Sequence, residues 1–245
     1  MLELQNIHWQ LPDGGEILKG INLSIPDGQL TVVTGPNGGG KTSLAKVIAG
    51  LYAPSEGKIL LNGEDITELS ITDRAKKGIA YAFQQPVRFK GLTVLDLLEL
   101  SAEEKLPRDK VCSLLGEVGL CSKEYINREA DSSLSGGESK RIEIATVLAR
   151  KNASMLVFDE PEAGIDLWSF SNLIEAFERL KAEGSRSLLV ISHQERIMEI
   201  ADNIVVIAGG KVRTCGKKDD VLPTLLADEK TERCPMDKAK REVRA

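Results

Sequence analysis

The sequence predicts an α/β fold: a largely parallel β-sheet covered by helices on both faces, with a small antiparallel β-unit ahead of it. Three observations carry this. Short apolar runs, MLVF at 155–158, LLVI at 188–191 and IVVIA at 204–208, alternate with stretches of helical periodicity, as buried parallel strands joined by crossover helices do. The first 34 residues instead alternate apolar and polar positions and are broken by the turns PDGGE and PDGQ, the mark of short half-buried strands. A glycine-rich stretch directly follows LTVVT and opens a helix.

In chain order, LELQNIHW, INLSI and LTVVT read as strands of the small sheet. A helix is expected from Lys41 to about Ala49, stopped by Gly50. GKILLNG reads as a short strand and turn, and IAYAF at 79–83 as an apolar strand with Gln84 at its end. From about Gly91 to Arg150 the period becomes helical. LTVLDLLELSAEEK forms one helix, and Pro107, Arg108 and Asp109 restart another through VCSLLGEVGL. After Gly137, the run ESKRIEIATVLAR sets Ile142, Ile144, Ala145, Leu148 and Ala149 on one stripe. Then follow the strand MLVF, a helix over 169–183, the strand SLLVI, a helix over 194–201 and the strand IVVIA. Residues 228–245 mix charges with almost no apolar content and read as a tail or a fraying helix.

Composition narrows the function. The 245 residues are 42% apolar and 28% charged, enough for one large core. A net charge of −5 offers nothing to nucleic acid or an anionic membrane. No apolar run approaches the roughly 20 residues that span a bilayer. MLELQNIHWQ lacks a basic segment followed by an apolar core, so no signal peptide is expected. The four cysteines form no CxxC pair, which argues against a zinc site or a disulfide framework. A cytoplasmic protein is expected, without direct membrane insertion and without a nucleic-acid partner.

The chemistry concentrates in two places. Gly35-Pro36-Asn37-Gly38-Gly39-Gly40-Lys41-Thr42 fits GxxxxGKT between a strand and a helix, with Ser43 next in line. Such a loop wraps phosphate with inward N–H groups at a helix N-terminus; Lys41 would reach the β- and γ-phosphates and Thr42 would bind Mg²⁺. Asp159 and Glu160 end the strand MLVF, at the carboxyl edge where open α/β sheets hold ligands. Asp159 would hold Mg²⁺, directly or through water, and Glu160 would be the general base for the attacking water. His193 and Gln84 also follow strands. Alone, each could face the phosphates and metal or be an ordinary loop residue. His8 reads as a strand residue. In LSGGESKRIEI, at 134–144, two glycines expose backbone N–H groups beside an acid, Glu138; a carboxylate there suits the positive end of the following helix.

Taken in order, these motifs resemble the ATP-binding cassette ATPases over about residues 1–225. GPNGGGKT looks like the phosphate loop, AFQQP the glutamine loop, LSGGE the signature motif and MLVFDE the strand with its acidic pair. AGID at 163–166 looks like the D-loop, and ISH at 191–193 the switch histidine. The resemblance implies a P-loop ATPase domain over 1–227, with an N-terminal antiparallel β-subdomain and a helical subdomain at about 88–150. It implies ATP and Mg²⁺, with Gln84 beside Thr42 and Asp159 at the metal, and His193 at the γ-phosphate. It implies a head-to-tail homodimer on ATP binding. There Ser135, Gly136 and Gly137 would donate to the γ-phosphate held by the other copy, and Asp166 would touch that copy near its phosphate loop. The family often stacks adenine on an aromatic of the first hairpin; here Leu11 takes that place with Trp9 nearby, so no stacking residue is assigned.

Within the family, SGGESKRIEI resembles the SufC branch, soluble cassette ATPases of iron–sulfur cluster assembly that typically read SGGExKRxEI. YINREADSSLSGGE, AGID and SHQERIMEIADNIVVIAGGKV also look like that branch. This implies a SufB- or SufD-like scaffold as partner. The alternative is the ATP-binding subunit of a membrane transporter. A DNA-repair or translation ATPase, with paired cassettes or long coiled coils, fits less well.

Overall fold

The computed structural model describes residues 1–231. Strands β1 (Leu2–Gln10) and β2 (Glu16–Ile25) form the first hairpin, and β3 (Leu30–Thr34) leads through the glycine loop into α1 (Lys41–Ala49). Then come β4 (Glu56–Leu61), β5 (Glu64–Asp65), α2 (Ile71–Lys76) and β6 (Ile79–Ala82). Helices α3 (Val94–Ala102), α4 (Arg108–Glu117), α5 (Ser122–Tyr125) and α6 (Gly136–Ala149) separate β6 from β7 (Met155–Asp159). The described chain continues through α7 (Leu167–Glu183), β8 (Ser187–Ile191), α8 (Glu195–Glu199), β9 (Asn203–Ala208), β10 (Lys211–Lys217) and α9 (Lys218–Thr231). Among the described residues no helix is long and apolar enough to cross a membrane.

Two sheets result. The antiparallel sheet has the order β2-β1-β4-β5, and the other runs β10-β9-β3-β8-β7-β6, parallel except for β10. This corrects the expected place of LTVVT. All five of its residues are buried, so it cannot be a half-exposed strand of the small sheet; it lies between β8 and β9 in the parallel one. Its place beside β1 is taken by β4. The short elements β5 and α2 and the edge strand β10 were not expected, since β10 is polar and mostly exposed. Strand β6 ends at Ala82, so Gln84 stands two residues past it. Helix α9 runs to Thr231, so the first four positions of the expected tail are helical; residues 232–245 of that tail lie outside the described residues.

The parallel strands are buried on both faces, and side-chain alternation divides the core. Leu156, Phe158, Leu188 and Val190 face the layer of α3, α4, α6 and α7, whereas Met155, Val157, Leu189 and Ile191 face α1 and the antiparallel sheet. Parallel register sets Val33 and Asp159 both opposite Ile191. The carboxyl ends of β3, β7 and β8 therefore form one edge, where the loops bearing the candidate residues emerge.

Helix α1 carries the glycine loop at its start, and its other end is held by Arg74 of α2, which is 1% exposed. Arg74 donates from Nη1 to the carbonyls of Val47 (2.6 Å) and Ile48 (2.9 Å), from Nη2 to Thr67 (2.7 Å) and from Nε to Leu69 (3.1 Å). The bonds to Val47 and Ile48 reach carbonyls of the last turn of α1, those to Thr67 and Leu69 hold the segment that leads into α2, and the cation suits the negative helix end. Replacing Arg74 by Met should lower stability by about 3 kcal/mol through unpaired buried carbonyls. Urea unfolding checks this: the midpoint should fall with little change in slope, and an unmoved midpoint would show that water replaces the guanidinium.

Candidate active site

The glycine loop is shaped by close packing. Gly35 has φ +125°, and a Cβ there would lie 2.1 Å from the Ile207 carbonyl oxygen; only glycine fits against β9 so closely. No side chain caps α1, whose N-cap is Gly40, so its first N–H groups are open to an anion. A cleft of about 430 Å³ lies over them, lined by Ile17, Asn37, Gly38, Gly39, Gly40, Lys41, Thr42, Ser43, Gln84 and Glu160. Lys41 Nζ donates to the carbonyls of Gly35 (2.7 Å) and Pro36 (3.0 Å), bracing the loop from inside. Burial pushes the Lys41 pKa down, while Glu160 and Asp159 pull it up.

Asp159 is fully buried beneath this cleft. Its Oδ1 accepts from Thr42 Oγ1 at 3.1 Å and its Oδ2 from the Tyr81 hydroxyl at 3.1 Å. Burial raises its pKa, and those two bonds oppose the rise. A carboxylate and a hydroxyl, hard oxygen donors beside a phosphate loop, suit Mg²⁺. Glu160 has φ +47°, rare for a residue with a side chain. Its N–H is held by the Ile191 carbonyl at 3.0 Å, and Gln84 Nε2 donates to its Oε2 at 2.8 Å. Gln84 and Glu160, 76 residues apart, thus meet over the glycine loop.

His193 does not line the cleft. It is exposed on the loop after β8, which is anchored by the buried Ser192: its hydroxyl donates to Glu162 Oε1 at 2.6 Å and accepts from Gln194 N–H at 3.0 Å. Ser135, Gly136 and Gly137 also stand apart from it, at the N-terminus of α6. Gly137 is pressed on the next loop, where a Cβ would lie 2.5 Å from the Gly164 carbonyl oxygen. Asp166 is the N-cap of α7, accepting from Trp168 N–H and Ser169 N–H, and lies 3.8 Å from Arg141. Trp9 stacks on Tyr52 with centroids 4.4 Å apart and does not line the cleft. Instead Ile17, missed in the sequence, supplies an apolar wall; its place in an alternating strand gave no hint. Tyr81 was missed because it stands inside the apolar strand IAYAF.

The acid beside the glycines has a structural account. Ser135 and Glu138 form a capping box: Ser135 Oγ accepts from Glu138 N–H (3.2 Å) and Glu138 Oε2 from Ser135 N–H (2.7 Å). Its Oε1 accepts from the Tyr125 hydroxyl and from Arg128 at 3.3 Å. The Ser135 N–H is therefore engaged within the cap of its own helix. Its hydroxyl proton and the N–H groups of Gly136 and Gly137, which a first turn leaves without helical partners, remain. The Tyr125 bond first, and the Ser135 bonds next, pull the Glu138 pKa down to about 2. A carboxylate depressed by folding contributes stability that is complete above its unfolded value near 4.5 and is lost as pH falls toward 2. Glu138→Gln should accordingly be less stable than the parent at pH 7, and the gap should close between about pH 4.5 and 2. Chemical denaturation across that range checks it; a pH-independent gap would contradict the assigned cause.

Comparisons with known proteins agree with this geometry. The family model described as ABC transporter matches residues 18–163. An uncharacterized ABC transporter ATP-binding protein of Methanocaldococcus jannaschii is 38% identical over 229 residues, covering 90% of each chain. The energy-coupling factor transporter ATP-binding protein EcfA of Methanosarcina acetivorans is 32% identical over 231 residues, covering 92% of this chain and 82% of its own. Among solved structures, a dimeric ATP-binding cassette in a post-hydrolysis state with ADP and Pi superposes with a TM-score of 0.79 at 24% identity, over 89% of this chain and 99% of that one. This chain belongs to the ABC transporter family of ATP-binding proteins and is an ATPase that uses ATP with Mg²⁺.

Proposed function

We propose that this chain is the ATP-hydrolysing subunit of a SUF-type iron–sulfur cluster assembly complex, driving conformational change in a SufB- or SufD-like scaffold. The observation that carries the hydrolytic part is the Gln84–Glu160 hydrogen bond beside the phosphate loop. The domain spans 1–227, with its helical subdomain at about 88–150. ATP lies along Gly35–Ser43, and Lys41 Nζ leaves the loop carbonyls for the β- and γ-phosphates. Thr42 and Asp159 would hold Mg²⁺ with Gln84 near it; when bound, the ion would offset charge on the phosphate oxygens. Glu160 takes a proton from water as its oxygen attacks the γ-phosphorus and the bond to ADP breaks, leaving ADP and phosphate. His193, on the loop after β8, is the residue that contacts the γ-phosphate. Ser135, Gly136 and Gly137 of a second copy complete the site, with Asp166 at the seam.

The assembly role is supported by SGGESKRIEI and its flanks. The second reading, a membrane transporter subunit, is favoured by relatives named as transporter ATP-binding proteins. Copurification from native extract separates them: a soluble scaffold is expected, and an integral membrane permease without one would overturn the first reading.

For the chemistry, Glu160→Gln should keep ATP binding and lose turnover by about a hundredfold or more; a normal rate would mean another base. Lys41→Ala should weaken ATP binding itself by about tenfold or more, the loss of charge-assisted bonds. Ser135→Ala should leave ATP binding to the monomer intact and slow hydrolysis about tenfold. Equal loss of both in steady-state kinetics and equilibrium binding would count against a site shared between copies.

A further inference from the structure

Helix α6 carries a charged pair that none of the steps above uses. Lys140 is 1% exposed, and its ammonium donates to the carbonyl oxygens of Phe83, Gln84 (3.3 Å) and Asp159 (3.3 Å). Glu143, three residues along the same face, accepts from Phe83 N–H at 3.0 Å and lies 3.7 Å from Lys140 Nζ. Both polar groups of the Phe83 backbone are thus held from α6, next to Gln84, and the same ammonium bonds the end of β7 that delivers Asp159 and Glu160. Stability alone does not account for this, because apolar residues of similar volume commonly serve as well as a buried ion pair. Directional bonds to backbone carbonyls do what apolar packing cannot: they set where a loop leaves its strand.

We propose that Lys140 and Glu143 are positioning residues for hydrolysis: they fix the glutamine loop so that the Gln84 amide sits on the Glu160 carboxylate. This rests on the reading of Gln84 and Glu160 given above. Lys140 stands about one and a half turns from Ser135 on a single helix. A second copy closing on Ser135–Gly137 would therefore press on the same rigid element that seats Gln84.

The test is a double-mutant cycle on ATP hydrolysis with Mg²⁺. Lys140→Met/Glu143→Gln replaces the pair without stranding either charge. It should lower kcat about tenfold, as a small misplacement of a reacting group does, and leave the Kd for ATP within about twofold. In a Gln84→Ala background the same replacement should cost less than about twofold more, because the effects share one path. An unchanged kcat, or an undiminished loss in that background, overturns the proposal. If the pair variant fails to unfold cooperatively, Lys140→Gln, neutral yet still a donor to the carbonyls, is put through the same cycle with the same deciding results. Failure of the underlying reading looks different: Gln84→Ala and Glu160→Gln would then themselves hydrolyse at the parental rate, removing the proposal with it.

Discussion

One buried carboxylate ties the molecule together. Asp159 has no exposed surface, yet its two oxygens bond Thr42 at the head of α1 and Tyr81 on β6, while its backbone carbonyl takes Lys140 of α6. The phosphate helix, two adjacent strands and the signature helix converge on one residue. A buried acid is costly unless hydrogen-bonded, so each partner constrains the others. The parallel sheet supplies the rigid edge that makes this possible, with Asp159 and Val33 both in register with Ile191.

Much of this is legible in the sequence itself. Glycines between an apolar strand and a helix have a mechanical reason, and acids at the end of a buried strand point to the ligand edge. Alternation and period located most helices and strands. Pairing was harder: LTVVT follows two strands of the small sheet in the chain but belongs to the other sheet, because nearness in sequence does not reveal which faces are buried. The edge strand β10 escaped because a polar, exposed strand carries no apolar signal. In the site, Ile17 stands between the turn PDGGE and the strand INLSI and Tyr81 inside the strand IAYAF, positions that carry no signal of a ligand. Lys140 and Glu143 look like a solvent-exposed i,i+3 pair until their burial shows otherwise.

Glu138 shows how local rules and family likeness combine. An acid next to an N–H-rich loop looks misplaced if the loop serves an anion. The capping box resolves this, since its carboxylate turns back onto Ser135 N–H and toward Tyr125 and Arg128. That leaves the Ser135 hydroxyl proton and two glycine amides as outward donors at a positive helix end. They do not face the cleft of their own copy, which is why the proposed reaction needs a second one.

That need is tested most directly by mixing two impaired forms. A Lys41→Ala copy keeps its signature loop and a Ser135→Ala copy keeps its phosphate loop, so one intact site can form where they pair. The account predicts that the equimolar mixture hydrolyses ATP well above the average of the two forms measured separately. A mixture no faster than that average would contradict it, placing every catalytic contact within a single copy.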